Sequence, residues 1–190
     1  MRHRNRTSFL LLTVAVFCTF SIIVSPYMIK KGFVAGLDGK ANSIDYLPLW
    51  RNMPSFPGIV YCIGDFICHQ KCSRSFVANG NQMPVCARDT GTFIGMCMGF
   101  ALSLFVVPSA ELAETALQFL PRRMRNTKKK ALLIGISAAM ISPVAIDGFL
   151  QLLTPYESTN VLRLLTGIPF GAAVACTISA LILSTLAARR

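Results

Sequence analysis

The chain has 190 residues, 53% of them hydrophobic and 14% charged, with a mean hydropathy of +0.55. That balance excludes an ordinary soluble domain and points to an all-α integral membrane protein. The formal net charge of +11 would suit a nucleic-acid binder, but the basic residues sit beside apolar runs and no zinc-finger, RNA-recognition or helix-turn-helix pattern accompanies them, so no nucleic-acid partner is expected.

Arg2, Arg4 and Arg6 precede an apolar run long enough to cross a bilayer, a first span over residues 8–26. A signal peptide also begins this way. The apolar part is long for one, and SPYMIKK has no A-x-A cleavage pattern, so an uncleaved span with a cytoplasmic amino end is expected. Residues 27–89 mix Gly, Pro, Asp and Lys and cannot cross as a unit. They read as a long extracytoplasmic loop, with Tyr46 and Trp50 at headgroup depth. Within it, residues 56–67, FPGIVYCIGDFI, are apolar but short and interrupted by Gly64 and Asp65. They read as an interfacial or re-entrant helix, or as a loop segment packed on the bundle.

A second span covers residues 90–107 and stops at Pro108, after which SAELAETALQFL reads as a short amphipathic surface helix. The loop 109–130 carries six basic residues between Arg122 and Lys130. The positive-inside rule places it in the cytoplasm; contact with acidic lipid or a partner is the alternative role. A third span (131–153) and a fourth (161–187) flank TPYESTN, where Ser158, Thr159 or Asn160 can cap the last helix. The expectation is thus about four spans in a single domain of the plasma membrane, multi-pass, with both termini cytoplasmic. One count runs against it: the first loop holds seven Lys and Arg, though spread thinly and accompanied by four acids.

This topology brings three polar helix ends to one leaflet. Cys86, Arg88, Asp89 and Thr90 open the second helix, Asp147 and Gln151 share a face of the third, and Arg163 and Thr166 begin the fourth. Asp147 and Arg163 lie at similar depth in the hairpin and read as partners, either for chemistry or simply to fix packing. Small residues recur at steps of four: Gly91, Gly95, Gly99 and Ser103; Gly135 and Ala139; Gly167, Gly171, Ala175 and Ser179. Such steps let helices approach closely in lipid, so a compact bundle follows. Pro143 should kink the third helix and free a carbonyl near Asp147.

Of seven cysteines, Cys18, Cys97 and Cys176 lie in apolar runs, leaving Cys62, Cys68, Cys72 and Cys86 to inform. Cys68, His69, Cys86 and Asp89 are acceptable ligands for a zinc-type divalent metal. One or two structural disulfides, or thiol exchange, account for the same cysteines, although no Cys-x-x-Cys pair is present. A thiol beside His69, oriented by Asp89 or Asp147, would also suit a nucleophile. The candidate site therefore takes Asp147, Arg163 and His69 as reactive groups, with Gln70, Arg88, Thr90, Gln151 and Thr166 as contacts to a small polar or lipid-headgroup ligand. Its expected activity is metal or ligand binding, and catalysis at the membrane surface is one form of it. Thiol-disulfide exchange and a non-catalytic transport or assembly role are the alternatives.

The blocks CHQ, RSF, GNQMPVCARxTG, PVAIDGFxQL and ESTNxxRxxTG, spread over residues 59–171, resemble a family of uncharacterised prokaryotic predicted membrane proteins, a domain of unknown function. The family's central block reads Cys-Ala-Arg-Cys, whereas this chain has Asp89 in the last place. The resemblance thus implies the site's location rather than its chemistry, and the departure shifts emphasis from a thiol pair to a mixed cluster with a carboxylate.

Overall fold

The computed structural model describes residues 2–120 and 129–189. Helix α1 (Arg2–Val24) continues into a 3-10 turn at Ser25–Tyr27. No glycine or proline interrupts it before Pro26. Its hydroxyls bond back to the carbonyl four residues earlier, Thr13 to Phe9, Thr19 to Ala15, Ser21 to Phe17 and Ser25 to Ser21, at 2.6–2.9 Å. They are satisfied without water. Ser8, Ala15 and Ile22 form a buried face at seven-residue steps, while Phe9, Leu10, Phe17 and Phe20 are exposed.

The segment between α1 and the next long helix folds on a core of its own. It contains α2 (Leu47–Arg51), α3 (Ser55–Ile67) and a hairpin of β1 (Val77–Ala78) and β2 (Asn81–Gln82). Asn79 and Gly80 link the strands with φ of +51° and +72°, the two left-handed residues that a tight hairpin turn demands. The fold is therefore mostly helical rather than all-α. Trp50, expected at headgroup depth, is 3% exposed and belongs to this core: it stacks on Tyr61 at 5.2 Å and donates from Nε1 to Asp65 Oδ2 at 2.8 Å. Asn81 and Gln82 lock the strand to the preceding loop, accepting from Val34 N and Leu37 N at 3.0 and 3.1 Å.

Helices α4 (Ala87–Ser103), α5 (Leu112–Leu117), α6 (Lys129–Leu153) and α7 (Asn160–Ala188) complete the described chain. α4 ends before Val107 because the N–H groups of Leu104, Phe105 and Val106 turn to carbonyls three residues back, tightening the last turn. Thr159 caps α7, its hydroxyl accepting from Leu162 N at 3.3 Å. α6 passes through Pro143 as one helix, and the carbonyl that this proline frees, that of Ala139, accepts from the Ser142 hydroxyl at 3.4 Å. Among the described residues, three helical segments are long and apolar enough to cross a membrane: Arg6–Tyr27, Ala131–Leu153 and Asn160–Ala188. Most of the basic run between Arg122 and Lys130 lies outside the described residues.

α4 and α7 run parallel and touch backbone to backbone. A Cβ on Gly91 would lie 2.2 Å from the Leu164 carbonyl oxygen, on Gly95 2.0 Å from that of Ile168, and on Gly99 2.7 Å from that of Ala172. Gly167 and Gly171 reciprocate, with Arg88 O and Thr92 O at 2.3 and 2.0 Å. α1 packs on the same helix: Thr19 Oγ1 lies 3.3 Å from Phe93 O, and Ser8 Oγ donates to Ser103 O at 3.3 Å. The small-residue step of α6 makes no such contact at Gly135, where nothing lies within 4 Å of an added Cβ. The expected compact packing therefore holds for α1, α4 and α7 but not for the middle of α6.

Adding volume at the crossing must push two backbones apart. Gly95→Leu is expected to cost about 3 kcal/mol, the upper end for overpacking, and Gly135→Leu to stay near neutral. Thermal unfolding of the two variants in detergent checks the contrast.

Candidate functional site

The site forms where α4 and α7 begin and α6 ends. Gly64, near the end of α3, lets the chain after β2 approach, since a Cβ there would lie 2.2 Å from the Pro84 carbonyl oxygen. Gln70, in the left-handed region with φ +46°, reaches under this crossing and donates to Pro84 O at 2.7 Å. The result sets Cys86, the N-cap of α4, beside Cys68, the C-cap of α3. Cys86 N donates to Cys68 Sγ at 3.3 Å.

Cys68, Cys86 and Asp89 form one cluster, with a ligand atom from each within 4.8 Å of the others. Protonated, the Cys86 thiol donates to Asp89 Oδ2 at 3.2 Å. The hydrogen bond from the Cys68 thiol favours the Cys86 thiolate, and this outweighs burial and the neighbouring Asp89 charge, so Cys86 titrates below the usual thiol range. Cys68 is pushed up by the same hydrogen bond and by its burial. All seven cysteines are free thiols.

The cluster forms part of the wall of a cavity of about 250 Å³. His69, exposed, lines the same cavity but lies outside the ligand cluster. Lys71, Arg74, Arg88 and Arg163 supply cationic wall, and Gln151 contributes an amide. Behind this wall runs a polar chain. Asp147, 5% exposed, accepts at Oδ2 from Arg88 Nη2, from Gln151 Nε2 at 2.8 Å and from Ser158 Oγ at 3.2 Å. Gln151 Oε1 in turn accepts from Arg163 Nη2 at 2.9 Å. Arg163, 2% exposed, also reaches Asn160 Oδ1 at 3.4 Å and Ser73 O at 3.5 Å.

Several sequence expectations change here. Asp147 pairs directly with Arg88 rather than Arg163, because α4 lies against the hairpin of α6 and α7 and its first turn reaches the carboxylate first. Asp147 stands behind the cavity wall and holds Arg88 and Gln151, which line it. Gln70, Thr90 and Thr166 do not line the cavity. Gln70 is fully buried under the crossing, and the two threonine hydroxyls bond back to Cys86 O and Arg163 O at 3.1 Å each. Lys71 and Arg74 were missed. Their signal was spacing: both follow the Cys68-His69 pair within six residues.

A family model described as "Predicted membrane protein (DUF2085)" matches residues 68–177, from the first cavity cysteine into α7. An uncharacterized protein of Methanothermobacter thermautotrophicus is 36% identical over 110 residues, 58% of this chain and 82% of its own length. Another, from Methanocaldococcus jannaschii, is 32% identical over 123 residues, 64% of this chain and 68% of its own. No solved structure matches. With more than half of its length, and all of the cysteine, arginine and aspartate residues that build the cavity, inside the matched region, the chain belongs to the predicted membrane protein family DUF2085.

Proposed function

We propose that the protein binds a zinc-type divalent ion on Cys68, Cys86 and Asp89 at the outer face of the plasma membrane, leaving one position directed to the cavity. The observation that carries this reading is the cluster itself: two thiol sulfurs and a carboxylate oxygen within 4.8 Å of one another. Zinc–sulfur bonds of about 2.3 Å and zinc–oxygen bonds of about 2.0–2.2 Å fit such a span with small adjustments. Two thiolates and a carboxylate exceed a dication by one negative charge, and the four cationic side chains around them offset it. A metal with three protein ligands retains a place for a ligand or water, the arrangement of catalytic rather than purely structural sites. His69, exposed in the same wall, is the group suited to moving a proton there.

In this reading α4 crosses beside α7 as a fourth span, although it is only about 25 Å long. Both termini then lie in the cytoplasm, since α1 and α6 end, and α4 and α7 begin, at the site. A second reading rests on the Cys68–Cys86 pair, whose lowered Cys86 pKa suits reversible disulfide exchange. Purified protein separates the two: stoichiometric metal by mass spectrometry supports the first, while a metal-free protein that forms a reducible Cys68–Cys86 bond supports the second.

Cys86→Ser is expected to abolish stoichiometric metal, and Asp89→Cys to tighten binding at least about tenfold by supplying a third thiolate. Competition with a chromogenic chelator reads both. For orientation, Cys72 is exposed. A membrane-impermeant maleimide added to intact cells should label it in a variant lacking the other cysteines; labelling only after permeabilisation overturns the outward site.

A further inference from the structure

Among the described residues, the four cations of the cavity are only partly matched by acids. Lys71 and Arg74 meet acids only at their exposed ends, Asp38 and Glu157, each at 3.5 Å. Arg88 is paired with Asp147 through Nη2, leaving its Nε buried without a hydrogen-bond partner, as is the Nε of Arg74. Arg163, buried, makes no ion pair among the described residues and meets only neutral acceptors. Burying a cation without a counter-charge is costly. Asp89 is the one carboxylate in the wall.

A second cavity, of about 240 Å³, adjoins the first. Its walls come from α1, α3 and α4, including Phe17, Ile22, Ile59, Ile63 and Phe93. The hydroxyl of Ser21, which also borders it, is bonded to Phe17 O at 2.7 Å. Ile67 lines both cavities. The groove lies against α1, a helix of spanning length, and Ile59 and Ile63 on α3 are more than half exposed. A polar, cationic chamber thus shares a wall with an apolar groove on the side of a membrane-length helix.

We infer that the two cavities together bind an amphiphile: the phosphate head of a membrane lipid seated among Lys71, Arg74, Arg88 and Arg163, with its hydrocarbon chain in the groove between α1, α3 and α4. Phosphate fits the cationic chamber because its several oxygens can accept from more than one guanidinium at once. The chain supplies the apolar surface that the groove walls otherwise leave uncovered. This rests on the cavity being a ligand site, as proposed above, but not on the metal.

The test uses the full chain in phosphatidylcholine nanodiscs doped with phosphatidic acid, with bound lipid counted by mass spectrometry and inorganic phosphate as the chain-free probe. Selective, saturable retention of phosphatidic acid over phosphatidylcholine is expected. Arg163→Gln risks the fold, so the charge arm combines Lys71→Gln with Arg74→Gln, whose side chains are 41% and 38% exposed. That pair should weaken phosphatidic acid and inorganic phosphate alike, by about tenfold. Ile63→Trp, which fills the groove, should weaken phosphatidic acid by a similar factor and leave inorganic phosphate unchanged. The inference is overturned if phosphatidic acid shows no preference, if the double variant has no effect, or if inorganic phosphate binds as tightly as the lipid and Ile63→Trp changes nothing. Metal content measured on the same samples keeps the two readings apart. Lipid selectivity in metal-free Cys86→Ser protein supports the lipid without the metal, and metal without lipid selectivity supports the reverse.

Discussion

Where α4 crosses α7 the two backbones come into direct contact. Gly91, Gly95 and Gly99 face carbonyls of Leu164, Ile168 and Ala172, and Gly167 and Gly171 face those of Arg88 and Thr92. In lipid there is no hydrophobic drive to push helices together, so close contact between backbones must supply dispersion and dipolar attraction instead. Everything at the site depends on this contact. It fixes the depth of the first turn of α4 against the first turn of α7, and hence the placement of Cys86, Arg88 and Asp89 relative to Arg163.

Onto that fixed pair a polar chain fastens the third element. Arg88, Asp147, Gln151 and Arg163 alternate cation, anion, amide and cation. The amide is what lets the sequence close: its nitrogen donates to the carboxylate while its oxygen accepts from the second guanidinium. A carboxylate in its place would pair with Arg163 and lower the cavity's positive charge by one. The described geometry thus keeps one buried cation electrostatically open, which a purely structural pair between helices would not do.

Much of this was legible in the sequence, and what was not has a definite cause. The four-residue spacing of Asp147 and Gln151 put both on one helix face, and small residues at steps of four marked α4, α6 and α7 alike for close packing. Spacing reports which face a residue occupies but not which helix stands opposite, so the partner of Asp147 was assigned to Arg163, nearby in sequence, and not to Arg88. The same blindness made Gly135 look like a packing position. The Asn79-Gly80 hairpin was readable from its dipeptide alone and was passed over because its strands have two residues each. Trp50 and Tyr46 looked like membrane-surface anchors because composition does not reveal that the loop has a core, built on Asp65, in which an indole N–H finds a carboxylate. Gln70, Thr90 and Thr166 are polar residues near a site whose side chains bond to backbone, a role no one-dimensional pattern distinguishes from ligand contact.

α6 is joined by polar contacts to the rest of the described structure only near Asp147 and Gln151, while Gly135 has no neighbour within 4 Å of a Cβ position. From Asp147 back to Ala131 is about 24 Å of helix. The helix thus has its polar anchor at the cavity wall and apolar neighbours on α5 and α7 toward its other end. A turn of one degree about the Asp147 anchor would displace the opposite end by about 0.4 Å along an arc, so the residues that shape the chamber share with those apolar neighbours the setting of this helix's angle.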